Sequence, residues 1–436
     1  MISITRARTI GVVILSGILA AAAPGYAESP SLADRVIEHK LANGMTVLMV
    51  ERHQAPIVSI NMTFGVGGVN EQVGLTGLAH LYEHMAFKGT RTVGTRDYER
   101  EQAVLDELTV VGNELDHRER DEAARAQMEG KPHVASPEVQ QLQRRFKELQ
   151  EKAGEFVVGN EMALLYQRHG GVGLNASTGK DITRYVISLP ANRLPLWASL
   201  ESDRMAHPVL REFYKERGVV MEERRLRTDD SPNGLLYETF TSTAFQAHQY
   251  GVPTIGWGSD IMALTPAATE AFFKTYYGPN NATVAIVGDI QPKEVIALIE
   301  QTFGKIPAAP PIPALVTEEP PQRGERRVEI EFDAEPALAI GYHKPTIGHP
   351  DDFVFDVIDE VLTEGVTSRL YSTLVRDKRL AASVLSDTNY PGVRAPNLFV
   401  IAATPLAPHT TAEVESAIYE ELERLKTEPI SAKEFE

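Results

Sequence analysis

The sequence predicts an α+β protein of two domains, and three observations carry that expectation. The chain has 436 residues, more than one hydrophobic core ordinarily holds. Strand patterns and helix patterns alternate in both halves. Between the halves, six prolines (Pro307, Pro310, Pro311, Pro313, Pro320 and Pro321) fall within fifteen residues that lack apolar periodicity, so residues 307–325 read as a semi-rigid linker. This divides the chain into a first α/β domain over residues 33–306 and a second over 326–436 with similar strand-and-helix grammar.

The elements follow in order. Residues 1–27 read as an export signal: Arg6 and Arg8 are basic, Ile10 to Ala23 apolar, and Gly25-Tyr26-Ala27 offers small residues for cleavage. The apolar run is short of the ~20 residues a membrane span needs. Val36 to Leu41 and Met45 to Val50 form a hairpin around Asn43-Gly44, expected as a two-residue turn. Residues 58–66 alternate, with Val58, Ile60, Met62, Phe64 and Val66 on one face, and a helix is expected from Thr76 to Phe87.

Residues 97–157 are dense in Glu, Arg, Gln and Lys, and predict an inserted antiparallel helical hairpin. Leu105, Leu108 and Leu115 mark its first helix. Val139, Leu142, Phe146, Leu149, Ala153 and Phe156 mark the second, which starts at Ser136-Pro137-Glu138. Gly170-Gly171-Val172-Gly173 lacks the Lys-Ser/Thr of a phosphate loop and instead leads into strands at Leu174 to Thr178 and Tyr185 to Ser188. Helices are expected over 194–205, 211–227, 267–276 and 292–303, with a strand over 283–287. Beyond the linker, strands are expected over 327–332, 337–342 and 398–402, and helices over 353–362, 368–376 and 411–426. Ser431-Ala432-Lys433-Glu434 is a capping box announcing a further helix, so the second domain is expected to be C-terminally incomplete.

Composition narrows the function. The net charge is −17, and −19 once residues 1–27 are removed, which disfavours nucleic acid and anionic membranes as partners. With no cysteine, disulfides, thiolate metal sites and cysteine nucleophiles are excluded, and any metal must be held by His and carboxylates.

His80-Leu81-Tyr82-Glu83-His84 lies in the expected helix, where residues four apart share a face. Two imidazoles can hold one zinc ion, and the adjacent carboxylate can take a proton from water as it attacks a carbonyl. Leu78, Leu81, Met85 and Phe87 make the helix apolar, which argues against two incidental surface histidines. A catalytic zinc needs a third ligand. On the helix at 211–227, Glu216, Val219, Val220, Glu223 and Leu226 share a stripe from which Glu222 is turned away by about 100°. A carboxylate among apolar residues is costly unless it is paired or binds metal, so Glu223 and Glu216 are candidates for ligand and supporting group. The alternative is ion pairing with Arg217, Arg224 or Arg225.

His80-x-x-Glu83-His84 is the inverted zinc motif, and here the chain resembles the M16 metallopeptidases, the pitrilysin and insulinase family. The resemblance includes His84-Met85-Ala86-Phe87-Lys88-Gly89-Thr90, Leu174-Asn175-Ala176-Ser177-Thr178, Glu216-Arg217-Gly218-Val219-Val220-Met221-Glu222-Glu223, Tyr276-Tyr277-Gly278-Pro279-Asn280-Asn281-Ala282 and Val287-Gly288-Asp289. It implies two homologous α/β sandwich domains, one zinc ion per chain on His80, His84 and Glu223, Glu83 as general base, and Glu216 as supporting carboxylate. It also implies that Asn175, Ala176 and Ser177 lie on an edge strand where an extended peptide substrate docks by β-augmentation.

Two departures are visible. The separation of His84 and Glu223 is longer than usual in the family, and the insertion at 97–157 accounts for the excess. The family also supplies an Arg and a Tyr from a facing half-molecule. Here the segment from Arg369 to Val384 keeps Arg376 but has Ala382 or Ser383 where the tyrosine belongs, so a homologous partner subunit or a homodimer is expected. The expectation is an exported, periplasmic or secreted zinc endopeptidase; the alternative is a non-catalytic structural or binding subunit of the same fold.

Overall fold

A computed structural model describes residues 31–435. The export signal read at 1–27 lies outside the described residues. A short helix, α1 (Leu32–Arg35), opens the described chain, its Ser31 cap reciprocated by Asp34.

From Ile37 onward the first half is built on a six-stranded sheet of order β1-β2-β6-β3-β5-β4, comprising β1 (Ile37–Lys40), β2 (Thr46–Glu51), β3 (Ile57–Phe64), β4 (Val172–Thr178), β5 (Thr183–Pro190) and β6 (Ala282–Gly288). All pairings are antiparallel except β2 with β6. The predicted alternation decides the buried face: Val58, Ile60, Met62 and Phe64 point inward, in register with Leu189, Ile187, Tyr185 and Thr183 across β5. The first turn differs from expectation. Leu41 N donates to Met45 O at 2.9 Å, so Ala42, Asn43 and Gly44 form a three-residue loop, and only Gly44 (φ +94°) is left-handed. One αL residue after a tight turn satisfies the strand twist without a two-residue primed turn.

Helices α2 (Leu78–Met85), α6 (Leu194–Ala206), α7 (Phe213–Arg224), α10 (Pro266–Tyr276) and α11 (Pro292–Thr302) supply the other side of this core. The long α3 (Tyr98–Met128) and α4 (Pro137–Gly154) pack on one another through Val104, Leu108, Leu149 and Ala153, with Phe146 and Tyr214 at the seam. Shorter helices α5 (Glu161–Arg168), α8 (Pro232–Ala244) and α9 (Gly258–Ala263) complete this half, and α7 runs directly into a π-helical turn, Arg225–Asp229.

The second half holds a three-stranded antiparallel sheet of order β7-β9-β8, from β7 (Leu338–Lys344), β8 (Ala381–Tyr390) and β9 (Asn397–Pro405), with α12 (Asp352–Leu362), a π-helical segment (Tyr371–Asp377), α13 (Thr411–Thr427) and α14 (Ala432–Phe435). Strand β9 is buried on both faces. Phe399, Ile401 and Ala403 face Val414, Ala417 and Ile418 of α13, whereas Leu398 and Val400 meet Val69, Phe245 and Tyr250 from the first half. The strand expected over 327–332 does not form. Instead Arg326 reaches the carbonyls of Thr243 and Ala244, and Glu319 accepts from the amides of Gln246, Ala247 and His248, pinning the segment to the end of α8 without a ladder partner. No helix among the described residues is long and apolar enough to cross a membrane.

Candidate metal centre

Helix α2 presents two faces with different chemistry. Leu78, Leu81 and Met85 are buried in the core, while His80, 9% exposed, faces Glu223 of α7 and Glu83, also 9% exposed, meets Thr178 of β4. His84 follows one turn after His80, their rings 4.8 Å apart at 72°. The first turn of α2 is fixed by Glu71, whose carboxylate accepts from Gly77 N at 2.8 Å and Ala79 N at 2.7 Å.

Glu223 comes from α7. Its Oε1 lies 3.6 Å from His80 Nε2 and its Oε2 lies 3.3 Å from His84 Nε2, and one donor atom from each of the three residues falls within 4.8 Å of the others. A tetrahedral ion with bonds of about 2.0 to 2.1 Å places its donors roughly 3.3 Å apart, so these imidazoles and this carboxylate fit zinc in both identity and spacing. Glu216, two turns earlier, lies 3.4 Å from His84 Nδ1, the nitrogen remote from Glu223, and is itself held by Lys88 Nζ at 2.5 Å. Glu83 receives a hydrogen bond from Thr178 Oγ1 at 2.6 Å. Glu222 points away and pairs with Arg225.

The electrostatics separate the groups. Burial pushes His80 down to about 4, leaving it neutral and ready to donate a lone pair. Burial acts in the same direction on His84, but hydrogen bonds to Glu216 and Glu223 and the charges of Glu223 and Glu83 outweigh it and carry His84 up to about 9. Burial raises the Glu83 carboxyl, opposed by the Thr178 hydroxyl. For Glu223 the hydrogen bond with His84 leads and holds the carboxyl below its ordinary range.

One expectation about α7 needs correction. The stripe is not uniformly buried: Val220 is inside, but Val219 is 43% and Leu226 58% exposed. Leu226 lies in the π-helical turn, which breaks the 3.6-residue phase. The alternative of ion pairing with the neighbouring arginines is not what forms, since Arg217 goes to Asp116, Arg224 to Glu238 and Asp229, and Arg225 to Glu222 and Asp230. Glu223 is met instead by Arg227, at 2.6 Å. Sequence reasoning missed Thr178, Lys88 and Arg227 as neighbours of the cluster. Lys88 could have been suspected, four residues after His84, whereas Thr178 is brought in only by the long-range placement of β4.

Asn175, Ala176 and Ser177 lie on β4, which forms one edge of the six-stranded sheet and pairs only with β5 within it. In the second half, Arg376 is exposed and pairs with Asp377, and Ala382 and Ser383 are exposed on β8.

This fold and donor set match what the inverted histidine motif implies for a metallopeptidase, and comparison with known proteins identifies the family. The family model described as Insulinase (Peptidase family M16) matches residues 46–106, and that of the Peptidase M16 inactive domain matches residues 263–436. Zinc protease PqqE of Helicobacter pylori is 30% identical over 404 residues, covering 91% of this chain and 76% of that protein. A crystal structure of a protease from Helicobacter pylori superposes with a TM-score of 0.73 at 28% identity, covering 92% of this chain and 82% of the other. The first half of the periplasmic protease PqqL from Escherichia coli shares the fold at a TM-score of 0.62 and 19% identity, covering 92% and 74% of the two chains. The chain belongs to the M16 peptidase family, a family of zinc proteases.

Proposed function

We propose that the chain is an exported zinc endopeptidase that binds one ion through His80, His84 and Glu223 and uses Glu83 as general base. The observation that carries this reading is the convergence of two imidazole Nε2 atoms on Glu223, with Glu83 beside them on the same helix. When bound, the ion lowers the pKa of water and polarises a carbonyl. Glu83 takes a proton from the attacking water and returns it to the departing amine nitrogen, a task suited to a carboxyl raised by burial. Thr178 orients Glu83, and Glu216, tied to Lys88, fixes the His84 ring through Nδ1.

The free edge of β4 ends at Thr178, so a peptide paired along Asn175, Ala176 and Ser177 would run toward Glu83. Such pairing reads main chain and accepts many sequences. Export is supported by the basic, apolar and small-residue regions of residues 1–27. A homologous subunit carrying Arg and Tyr is the proposed partner, because exposed Ala382 and Ser383 offer no phenol where the family resemblance expects one.

The test is metal analysis with peptide cleavage. Wild-type protein should carry one zinc per chain and lose cleavage on chelation. His80→Ala and His84→Ala should each lose most of the metal, and full metal retention by both would overturn the ligand assignment.

A further inference from the structure

The loop joining β8 to β9 brings the second half of the chain onto the turn that follows Thr178. Asp181, 6% exposed, accepts from Val393 N at 2.6 Å and Arg394 N at 3.2 Å. It also accepts from the Tyr250 hydroxyl at 2.8 Å and 3.0 Å. The Tyr250 oxygen in turn accepts from Arg394 N at 3.0 Å and Ala395 N at 3.1 Å. Three consecutive amides of one half therefore close on one carboxylate and one phenol of the other. The approach is tight: a Cβ at Gly392 would lie 2.5 Å from Asp181 Oδ2 and 2.8 Å from the Tyr250 ring. Tyr250 is fully buried, packed with Val69, Phe245, Leu398 and Val400.

From Asp181, two short paths lead to α2. The turn between β4 and β5 is closed by Gly179 N donating to Ile182 O at 2.9 Å, and the residue before it is Thr178, which donates to Glu83. The same turn presents the carbonyls of Gly179 and Lys180 to the amides of Gly68 and Val69, at 3.1 Å and 2.9 Å. That segment continues to Glu71, which caps α2. Any Cβ at Gly67 would come within 2.3 Å of Gly179 O, so the two segments are in direct contact.

We infer that Asp181 and Tyr250 are positioning residues for hydrolysis: by binding the amides of Val393, Arg394 and Ala395 they hold Thr178 against Glu83 and Glu71 on the start of the metal-bearing helix. The second half then acts on the site mechanically, through backbone groups, without entering it. This rests on the reading of Glu83 as general base. Asp181→Asn keeps size but turns an amide donor toward groups that are already donors, and Tyr250→Phe deletes both an acceptor and a donor.

The test uses Asp181→Asn, Tyr250→Phe, Thr178→Val, Thr178→Ser and the Asp181→Asn/Thr178→Val double variant, each zinc-loaded and assayed in the active assembly. Asp181→Asn, Tyr250→Phe and Thr178→Val should keep zinc and KM but lose kcat by about ten- to a hundredfold, the scale of a small misplacement of a reacting group. Thr178→Ser should restore kcat. The double variant should lose little more than either single change, because both act through one hydrogen bond. Amide exchange across residues 172–182 should quicken in Asp181→Asn and Tyr250→Phe. Wild-type kcat with unchanged exchange would overturn the inference, as would fully additive losses; if Asp181→Asn fails to fold, the Thr178→Val and Thr178→Ser pair together with Tyr250→Phe decides. Turnover by Glu83→Gln would instead overturn the reading of the site itself, so the two failures are distinguishable.

Discussion

Zinc binding should expel a proton, and the source should be His84. In the metal-free protein its pKa of about 9 makes it cationic at pH 7, clamped between Glu216 and Glu223. A metal ligand must be neutral, so binding at pH 7 should release close to one proton per zinc, whereas His80, at about 4, contributes none. Between pH 8 and pH 6 the apparent affinity should fall about a hundredfold, tenfold per unit, because the competing proton binds the folded metal-free site throughout that window. The same shift has a stability consequence of opposite direction. A histidine raised from 6.5 to about 9 stabilises the metal-free fold fully below pH 6.5, and that contribution, on the order of 3 kcal/mol before solvent screening, is lost as pH rises through 9. Metal-free protein should therefore melt at lower temperature at pH 9.5 than at pH 6.5. The assay is zinc titration calorimetry at pH 7 in buffers of different ionisation enthalpy. Glu216→Gln should reduce the proton count at pH 8. Proton release near zero for the wild type at pH 7 would refute the reasoning.

Three further outcomes follow from the geometry. Glu223→Gln should weaken zinc binding by orders of magnitude more than Glu222→Gln, since only Glu223 faces both imidazoles; equal losses in a competition titration would sink the assignment. Gly112→Ala, whose Cβ would fall 2.3 Å from Tyr214 Oη and 3.0 Å from Phe146, should destabilise the seam where α3 and α4 meet α7 by about 1 to 3 kcal/mol, read as a lowered denaturation midpoint. The chain alone should cleave peptides poorly and gain about 10² to 10³ in rate with a homologous subunit carrying the Arg and Tyr, and full turnover by a strict monomer would exclude that partnership.

Much of the site was legible because its periodicities are local. The i, i+4 spacing of His80 and His84 and the two-turn spacing of Glu216 and Glu223 are properties of single helices, and the alternation over β3 survives intact in its register with β5. What escaped was set by partners distant in sequence. Thr178 reaches Glu83 across 95 positions, and Asp181 reaches Val393 across 212. Strand β8 carries Asp387, Thr388 and Asn389, and its pattern is too polar to announce a strand. The segment 327–332 alternates like a strand, yet neighbouring Arg326 and Glu319 bind the end of α8 and no ladder forms. The π-helical turn after Arg224 moved Leu226 out of the apolar stripe, a shift no 3.6-residue wheel can foresee.

The central claim is that Glu83 moves the proton while His80, His84 and Glu223 hold the metal. Its most direct test is one preparation of Glu83→Gln, measured for bound zinc and for peptide cleavage beside the wild type in the same assembly. Glu83→Gln should keep one zinc per chain while its turnover falls by about 10² to 10⁴. Wild-type turnover with zinc in place would contradict it.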